Sequence, residues 1–380
     1  MKRIVLPAIA FLLAISLLVP PAGVAAEGGH ADPYAIVFEG MAVVLVAASV
    51  GRWAARCLKQ SPVLGELAAG ILAGALLYHA GNPAVVLLRH ADILKQAEAT
   101  AMAEHVNWEE AVRSVLEDGN IGGETAEKVA RVALRKDYPA LDTLYRSLLL
   151  FSSLGVTLLL FMVGLESSLE GMRRVAGSSA GVALLGVAAP FLLGYLATLL
   201  LCPPGTDPNV PTFVGATLCA TSIGITARVF KDTGFLDSGE ARIVLAAAVL
   251  DDILGLIVLA VVTGIVTKGA VELPAAGWIL LKAVLFLGVV ILFGSYLMKR
   301  TVRYFARLDP SHVKLLCPFT LLMLLAWAAD AAGLASIVGA FAAGLILDEE
   351  YFRETEPSHG GTASIESIIA PIEGIFAPVF

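Results

Sequence analysis

Charge is scarce in this chain. Of its 380 residues, 16% are Asp, Glu, Lys or Arg, where a soluble domain carries about a quarter. No basic stretch with interleaved aromatics occurs, so nucleic-acid binding has no support. The four cysteines, Cys57, Cys202, Cys219 and Cys317, form no CxxC pair and have no histidine at ligand spacing. They read as small packing residues rather than a metal or redox site. Short alternating strands of the kind that build a membrane barrel are also missing. What the chain has instead is apolar length: 58% of residues are hydrophobic and the mean hydropathy is +0.82. A bilayer core needs roughly 20 apolar residues per helix, and about ten such segments are present. The expectation is an all-α polytopic membrane protein with the lipid bilayer as its surroundings.

The first residues, "MKRIVLPAIAFLLAISLLVPPAGVAAEGG", combine a basic start, an apolar stretch and small residues ending at Ala26. This is the pattern of a signal peptide over 1–26, the competing reading being an uncleaved first helix. A transmembrane domain over 27–380 is expected after it. Its apolar segments fall at 34–56, 62–80, 146–169, 178–201, 211–230, 241–266, 277–298, 312–332 and 334–347, and another begins near 365. Basic residues gather at every second boundary: Arg52, Arg56 and Lys59; Arg173 and Arg174; Arg228 and Lys231; Lys299, Arg300, Arg303 and Arg307. The charge rule puts those ends inside and the mature N-terminus outside. Residues 81–145 then form a charged extracytoplasmic insertion. Within it "AEHVNWEEAVRSVLED" and "ETAEKVARVALRKDY" have helical spacing, which predicts two short amphipathic helices.

Two segments resemble each other. "LGELAAGILAGALL" at 64–77 and "IVGAFAAGLILDEE" at 337–350 share Ala-Ala-Gly followed by Ile or Leu. The charge rule runs them in opposite directions, as in an inverted-topology repeat. In that register, 34–56 corresponds to 312–332 and 146–169 to the segment near 365, with 277–298 as a linker helix. The second repeat stops in its third helix. About three helices, the counterparts of 178–201, 211–230 and 241–266, are expected beyond it.

The costliest residues lie in "ARIVLAAAVLDDILGLIVLA", where Asp251 and Asp252 sit in the middle of an apolar helix. Ionised carboxylates at that depth face a partner or a water-filled path. Adjacent residues diverge by about 100° around a helix, so one acid can address a pathway while its neighbour meets another group. Such a pair titrates as a unit, which suits a site exchanging a proton for a cation. A buried salt bridge would need a midplane cation, and no segment carries an obvious one. The preceding segment, "PTFVGATLCATSIGITARVF", concentrates Gly215, Gly224, Thr217, Thr221, Ser222 and Thr226 at mid-depth. Glycines and hydroxyls there predict an interrupted helix whose freed carbonyls and half-helix ends can meet an ion. Close packing by small residues is the plainer alternative.

These stretches together resemble the bacterial monovalent cation:proton antiporters, most of all the sodium/proton exchanger branch. The glutathione-gated potassium efflux proteins are relatives. "SPVLGELAAGILAG", "LLLFMVGLE", "GLASIVGAFAAGLIL" and "PIEGIFAPVF" match in order, so the resemblance covers 34–80 and 146–380 and leaves out the insertion. It implies a homodimer in the bacterial inner membrane whose core domain carries the ion site across the bilayer. Asp252 then corresponds to the carboxylate that binds cation or proton. Asp251 corresponds to its neighbour, which in electrogenic members pairs with a lysine on a later helix. Thr221 and Ser222 match the unwound crossing. The implied cargo is Na⁺, or Li⁺ or K⁺, against H⁺. Because both compete for Asp252, no cofactor or ATP is expected. The chain would be a transporter and no enzyme.

A glutathione-gated potassium efflux transporter is the alternative; those relatives commonly lack the first acid, so Asp-Asp favours sodium. An intramembrane aspartyl protease would need two aspartates on different helices converging on one water. Here the two are adjacent, and Asp330 lies near a membrane boundary. Glu66 suits the positive end of the helix that starts at Ser61-Pro62. Glu166 is expected to be solvated at a boundary, Lys282 to snorkel, and His79 and His90 to stand at the outer mouth, exposed or tuning a pH response.

Overall fold

The computed structural model describes residues 34–118, 123–167, 169–203, 206–207, 209–268, 273–308, 313–348, 351–352 and 364–379. The expected signal peptide lies outside them. The described residues hold helices and no strand, and seven spans are long and apolar enough to cross a membrane. The chain divides into two compact units, 1–154 with 378–380, and 155–377.

The first unit opens with α1 (Ala35–Cys57) and α2 (Pro62–His79). Pro62 starts α2 at a position where its missing N–H is not needed. The hairpin closes on two glycines. A Cβ on Gly51 would strike the carbonyl of Gly65, and one on Gly65 would strike that of Gly51. Beside this contact Arg52 Nε lies 2.6 Å from Glu66 Oε1, whose side chain is only 6% exposed. Glu66 is therefore one half of an ion pair between helices, which its helix-start position did not suggest.

The insertion contains four helices rather than two: α3 (Pro83–Arg89), α4 (Ala91–Glu104), α5 (Trp108–Asp118) and α6 (Gly123–Ala133). Gly81, at φ 72°, turns the chain out of α2. Asn82 then caps α3 by accepting from Ala84 N (3.0 Å) and Val85 N (3.3 Å). The two expected helices are α5 and α6. Their apolar faces, with Val112, Val129 and Val132, meet Leu87 and Leu94 from the two unexpected ones. Trp108 Nε1 donates to Ala133 O at 2.9 Å and ties α5 to α6. Helix α7 (Tyr138–Glu166) begins in this cluster with Leu141 and Tyr145. It starts eight residues before the expected 146.

The second unit is built around the rest of α7. Leu158 to Val163 are 0–1% exposed, so this stretch is covered on every side. The unit also holds α8 (Leu169–Leu201), α9 (Val210–Cys219), α10 (Ile223–Thr233) and α11 (Gly239–Lys268), and Ile223 of α10 and Leu245 of α11 share the cluster of Leu158 to Val163. They are followed by α12 (Leu273–Leu308), α13 (Val313–Ala331), α14 (Ser336–Ile346) and α15 (Ile365–Phe376). The expected linker helix, 277–298, is the inner part of α12. Glycines set the close approaches: Gly164 lies against the Phe341 carbonyl, Gly344 against that of Phe161, and Gly155 against that of Phe376.

The two matched segments pack alike in their separate units. Gly65 meets the Gly51 carbonyl and Gly339 meets the Leu325 carbonyl. Both separations are fourteen residues (65 − 51 and 339 − 325), and Gly65 and Gly339 hold the same place in the shared motif. The four-letter likeness thus coincides with a likeness of helix-pair spacing. Where the first hairpin has Arg52 and Glu66, the second has Ala326 and Ala340.

Candidate functional site

The segment expected to be one interrupted helix is two helices with an extended link. α9 ends at Cys219, Ala220 is extended (φ −69°, ψ 120°), Ser222 likewise (φ −88°, ψ 105°), and α10 begins at Ile223. Local chemistry favours the break. Ser222 caps α10: its Oγ accepts from Ile225 N at 3.3 Å, while Thr226 Oγ1 donates to Ser222 O at 2.9 Å. The hydroxyls give the backbone partners that an unbroken helix would have supplied. On the other side Cys219 Sγ lies 3.2 Å from Gly215 O and 3.3 Å from Val187 O of α8, so its single S–H is shared between two carbonyls. Gly215 lies against Phe191 and Gly194 of α8, so α9 is held close to its neighbour up to the break.

At the break the C-terminal end of α9 and the N-terminal end of α10 face one link. The last carbonyls of the former have no helical partner ahead of them, and the latter carries the positive end of its dipole. A cation is suited to the first and a carboxylate to the second. The carboxylate is present: Thr221 Oγ1 donates to Asp251 Oδ2. Asp251 is twelve residues into α11, about 18 Å along it, and is 7% exposed.

Of the four residues expected at the site, Thr221 and Asp251 are in direct contact. Ser222 spends its hydroxyl as a cap. Asp252 is half-buried on the next position of α11. Two oxygens of the pair, Asp251 Oδ1 and Asp252 Oδ2, are buried with no hydrogen-bond partner among the described residues. Buried carboxylate oxygens left in that state are costly and form an oxygen-rich locus of the kind that hard cations prefer.

Three features were not foreseen. Arg228 on α10, 8% exposed, donates from Nη1 to Ala377 O at 3.1 Å, at the end of α15. Lys231, one turn on, lies 3.0 Å from Glu166 Oε1 at the end of α7. Glu166 is thus a partly buried ion-pair partner rather than a solvated boundary acid. Cys219 is the third, buried at the break and bonded to two carbonyls, whereas Cys57 is exposed at the end of α1 and does not pack. The basic residues read as boundary markers gave the first two their signal, but not their partners. Lys282 Nζ lies beside Gly333, in the turn after α13.

Residues 41–380 match the model of the family described as sodium/hydrogen exchanger, transmembrane. The chain is 40% identical over 229 residues to the high-affinity Na⁺/H⁺ antiporter NhaS3 of Synechocystis sp., covering 60% of this chain and 47% of that protein. It is 33% identical over 230 residues to the Na⁺/H⁺-K⁺ antiporter GerN of Bacillus cereus, covering 60% and 56%. To the glutathione-regulated potassium-efflux protein KefC of an Enterobacter strain it is 28% identical over 236 residues, covering 62% and 36%. The chain therefore spans about half the length of the first two relatives. With seven candidate membrane spans and a family match over residues 41–380, the chain is a polytopic membrane protein that belongs to the sodium/hydrogen exchanger family.

Proposed function

We propose that the protein of which this chain is part exchanges protons for monovalent cations, Na⁺ foremost, at Asp251 and Asp252. The observation that carries this reading is the pair of buried, unbonded carboxylate oxygens on α11, beside an interrupted helix. Such oxygens can be satisfied in two ways. A proton removes the charge, and a cation balances it. Because the two acids are adjacent, neutralising one changes the affinity of the other, so the ions compete for one site. Exchange follows if the loaded site is opened to one side of the membrane at a time. No phosphate chemistry is needed, since the gradient of one ion drives the other.

Thr221 orients Asp251, and Ser222 holds the N-terminal end of α10 at the link. Asp252 is the exchanging carboxylate. This assignment follows the resemblance, and the free oxygen of Asp252 is compatible with it. A homodimer in the bacterial inner membrane, with 277–298 linking two repeats, completes the reading.

The test uses the full-length protein in everted vesicles with a pH-sensitive dye. Wild type should release the dye quench on adding Na⁺, and Asp252→Asn should not. Undiminished exchange by that variant, at equal abundance, overturns the assignment. Potassium efflux is the second reading, favoured by the similarity to KefC. K⁺ flux without a matching proton signal would select it.

A further inference from the structure

The end of α2 that meets the insertion carries Tyr78, around which three other elements close. From the junction of α3 and α4, His90 places Nε2 3.1 Å from Tyr78 Oη, with the rings 5.7 Å apart. From α3, the Arg89 guanidinium lies over the Tyr78 ring, 4.3 Å from its centre. From α6, Lys128 Nζ lies 4.9 Å from the same centre and donates to Glu124 Oε1 at 2.7 Å. His79, next on α2, touches the ring edge-on at 6.1 Å. One tyrosine thus gathers two fixed cations and two imidazoles.

The arrangement suits neutral His90. An unprotonated Nε2 accepts from the Tyr78 hydroxyl, and both cations are drawn to the electron-rich ring. Protonation reverses the first contact and adds a third positive charge to the group. Glu124 is committed to Lys128, and α1 brings only Ile36 to the adjoining apolar cluster. Asp92, in the first turn of α4, faces that helix's own positive end. Burial, then Arg89, then Lys128, hold the His90 imidazole below its ordinary value.

We propose that the insertion is latched to the end of α2 by a histidine switch, in which protonation of His90 drives the Tyr78–Arg89–Lys128 cluster apart and releases α6 from α2. The sign follows from linkage. A histidine whose value is lowered by docking takes up a proton more readily when undocked. The latch is fully formed above about pH 6.5 and weakens as pH falls below it, toward the depressed value of docked His90. One linked proton changes the docking equilibrium by up to about tenfold per pH unit. On the topology proposed above, the pH it senses is that outside the cytoplasm. The insertion then becomes a part of the transporter that answers to external acid, independently of the ion site on α11.

Hydrogen exchange on the full chain in detergent, followed over 123–133 from about pH 8 to 5 and corrected for intrinsic rates, tests this. Wild type should keep protection above about pH 6.5 and lose it as pH falls below that value. His90→Gln should keep it throughout, and His90→Lys should lack it even at pH 8. Equal pH dependence in wild type and His90→Gln overturns the switch. If His90→Lys also loses protection over α1, the variant is misfolded and Tyr78→Phe decides instead. That change keeps the ring and removes the hydroxyl, so the midpoint should rise toward the ordinary imidazole value. An unmoved midpoint overturns the proposal.

Discussion

Thr221 donates its hydroxyl to Asp251 across the gap between the two halves of a broken helix and its neighbour. The contact joins the extended link between α9 and α10 to a buried charge. A hydrogen bond to a charged group contributes about 1.5–3 kcal/mol. Thr221→Val keeps the shape and removes the donor. In the full-length protein, half-maximal exchange should then need roughly 10- to 100-fold more Na⁺, while Thr221→Ser stays near wild type. Titrating dye dequenching with Na⁺ at fixed pH measures this.

Asp251 and Asp252 should fail differently. Asp251→Asn keeps an acceptor for Thr221 and removes one charge, so folding should be preserved and the cation dependence altered. Asp252→Asn should remove exchange altogether. Running both in one vesicle series, with abundance checked by blot, separates the roles. Identical loss in both would mean that the two acids act as one group.

Much of this site was legible in the sequence, because its physical cause is local. Hydroxyls and glycines crowd 215–226 where a spanning helix would have apolar residues, and the break falls at 220–222, inside that window. Adjacent acids in an apolar run are equally visible. Partners were not legible when they depended on how separate helices meet. Glu66 sits one turn into α2, and only the Gly51–Gly65 approach brings Arg52 to it. Glu166 and Lys231 are 65 positions apart (231 − 166) and meet at 3.0 Å. In the insertion, α4 was missed because "ADILKQAEATAMAE" is rich in alanine and shows no sharp apolar stripe. α3 was missed because seven residues are too few for periodicity to register.

The Arg52–Glu66 pair gives a stability prediction. Removing one member of a buried pair leaves the other charge uncompensated, at about 3–5 kcal/mol. Arg52 is 28% exposed, so water relieves part of this and the lower end applies to Glu66→Gln. Arg52→Met takes the cation from the more buried Glu66 and should lower the melting temperature further. The double variant Arg52→Met, Glu66→Leu should recover most of the loss, since the second hairpin already uses two alanines there. Thermal melting in detergent of the two single variants and the double measures the coupling.

The cysteines report accessibility without any added label site. Cys57 is exposed at the end of α1, whereas Cys219 and Cys317 are buried. A maleimide in detergent should react with Cys57 within minutes and with the buried pair only after denaturation. Cys57 follows Arg52 and Arg56, which the charge rule places inside. An impermeant maleimide should therefore leave it unmodified in intact cells and modify it in everted vesicles. Labelling of Cys57 from outside, read in a Cys202→Ser background because Cys202 is partly exposed, would invert the assigned topology, and with it the side on which the His90 cluster lies.

Glycines on these helices should divide into two classes by what a methyl group meets. At Gly65 and Gly339 an added Cβ collides with backbone of the preceding helix. The two helices of each hairpin would have to separate, because a carbonyl cannot rotate away as a side chain can. At Gly70 and Gly74, on the same helix as Gly65, nothing lies within 4 Å. Alanine there should be neutral or better, since it restricts the unfolded chain by about 0.4–1 kcal/mol. Gly65→Ala and Gly339→Ala should each destabilise by about 1–3 kcal/mol, as overpacked sites do, despite alanine's better helix propensity. Melting temperatures of the four alanine variants test the hairpin register directly. If Gly65→Ala and Gly339→Ala melt like Gly70→Ala, the fourteen-residue spacing is not what holds the paired helices together.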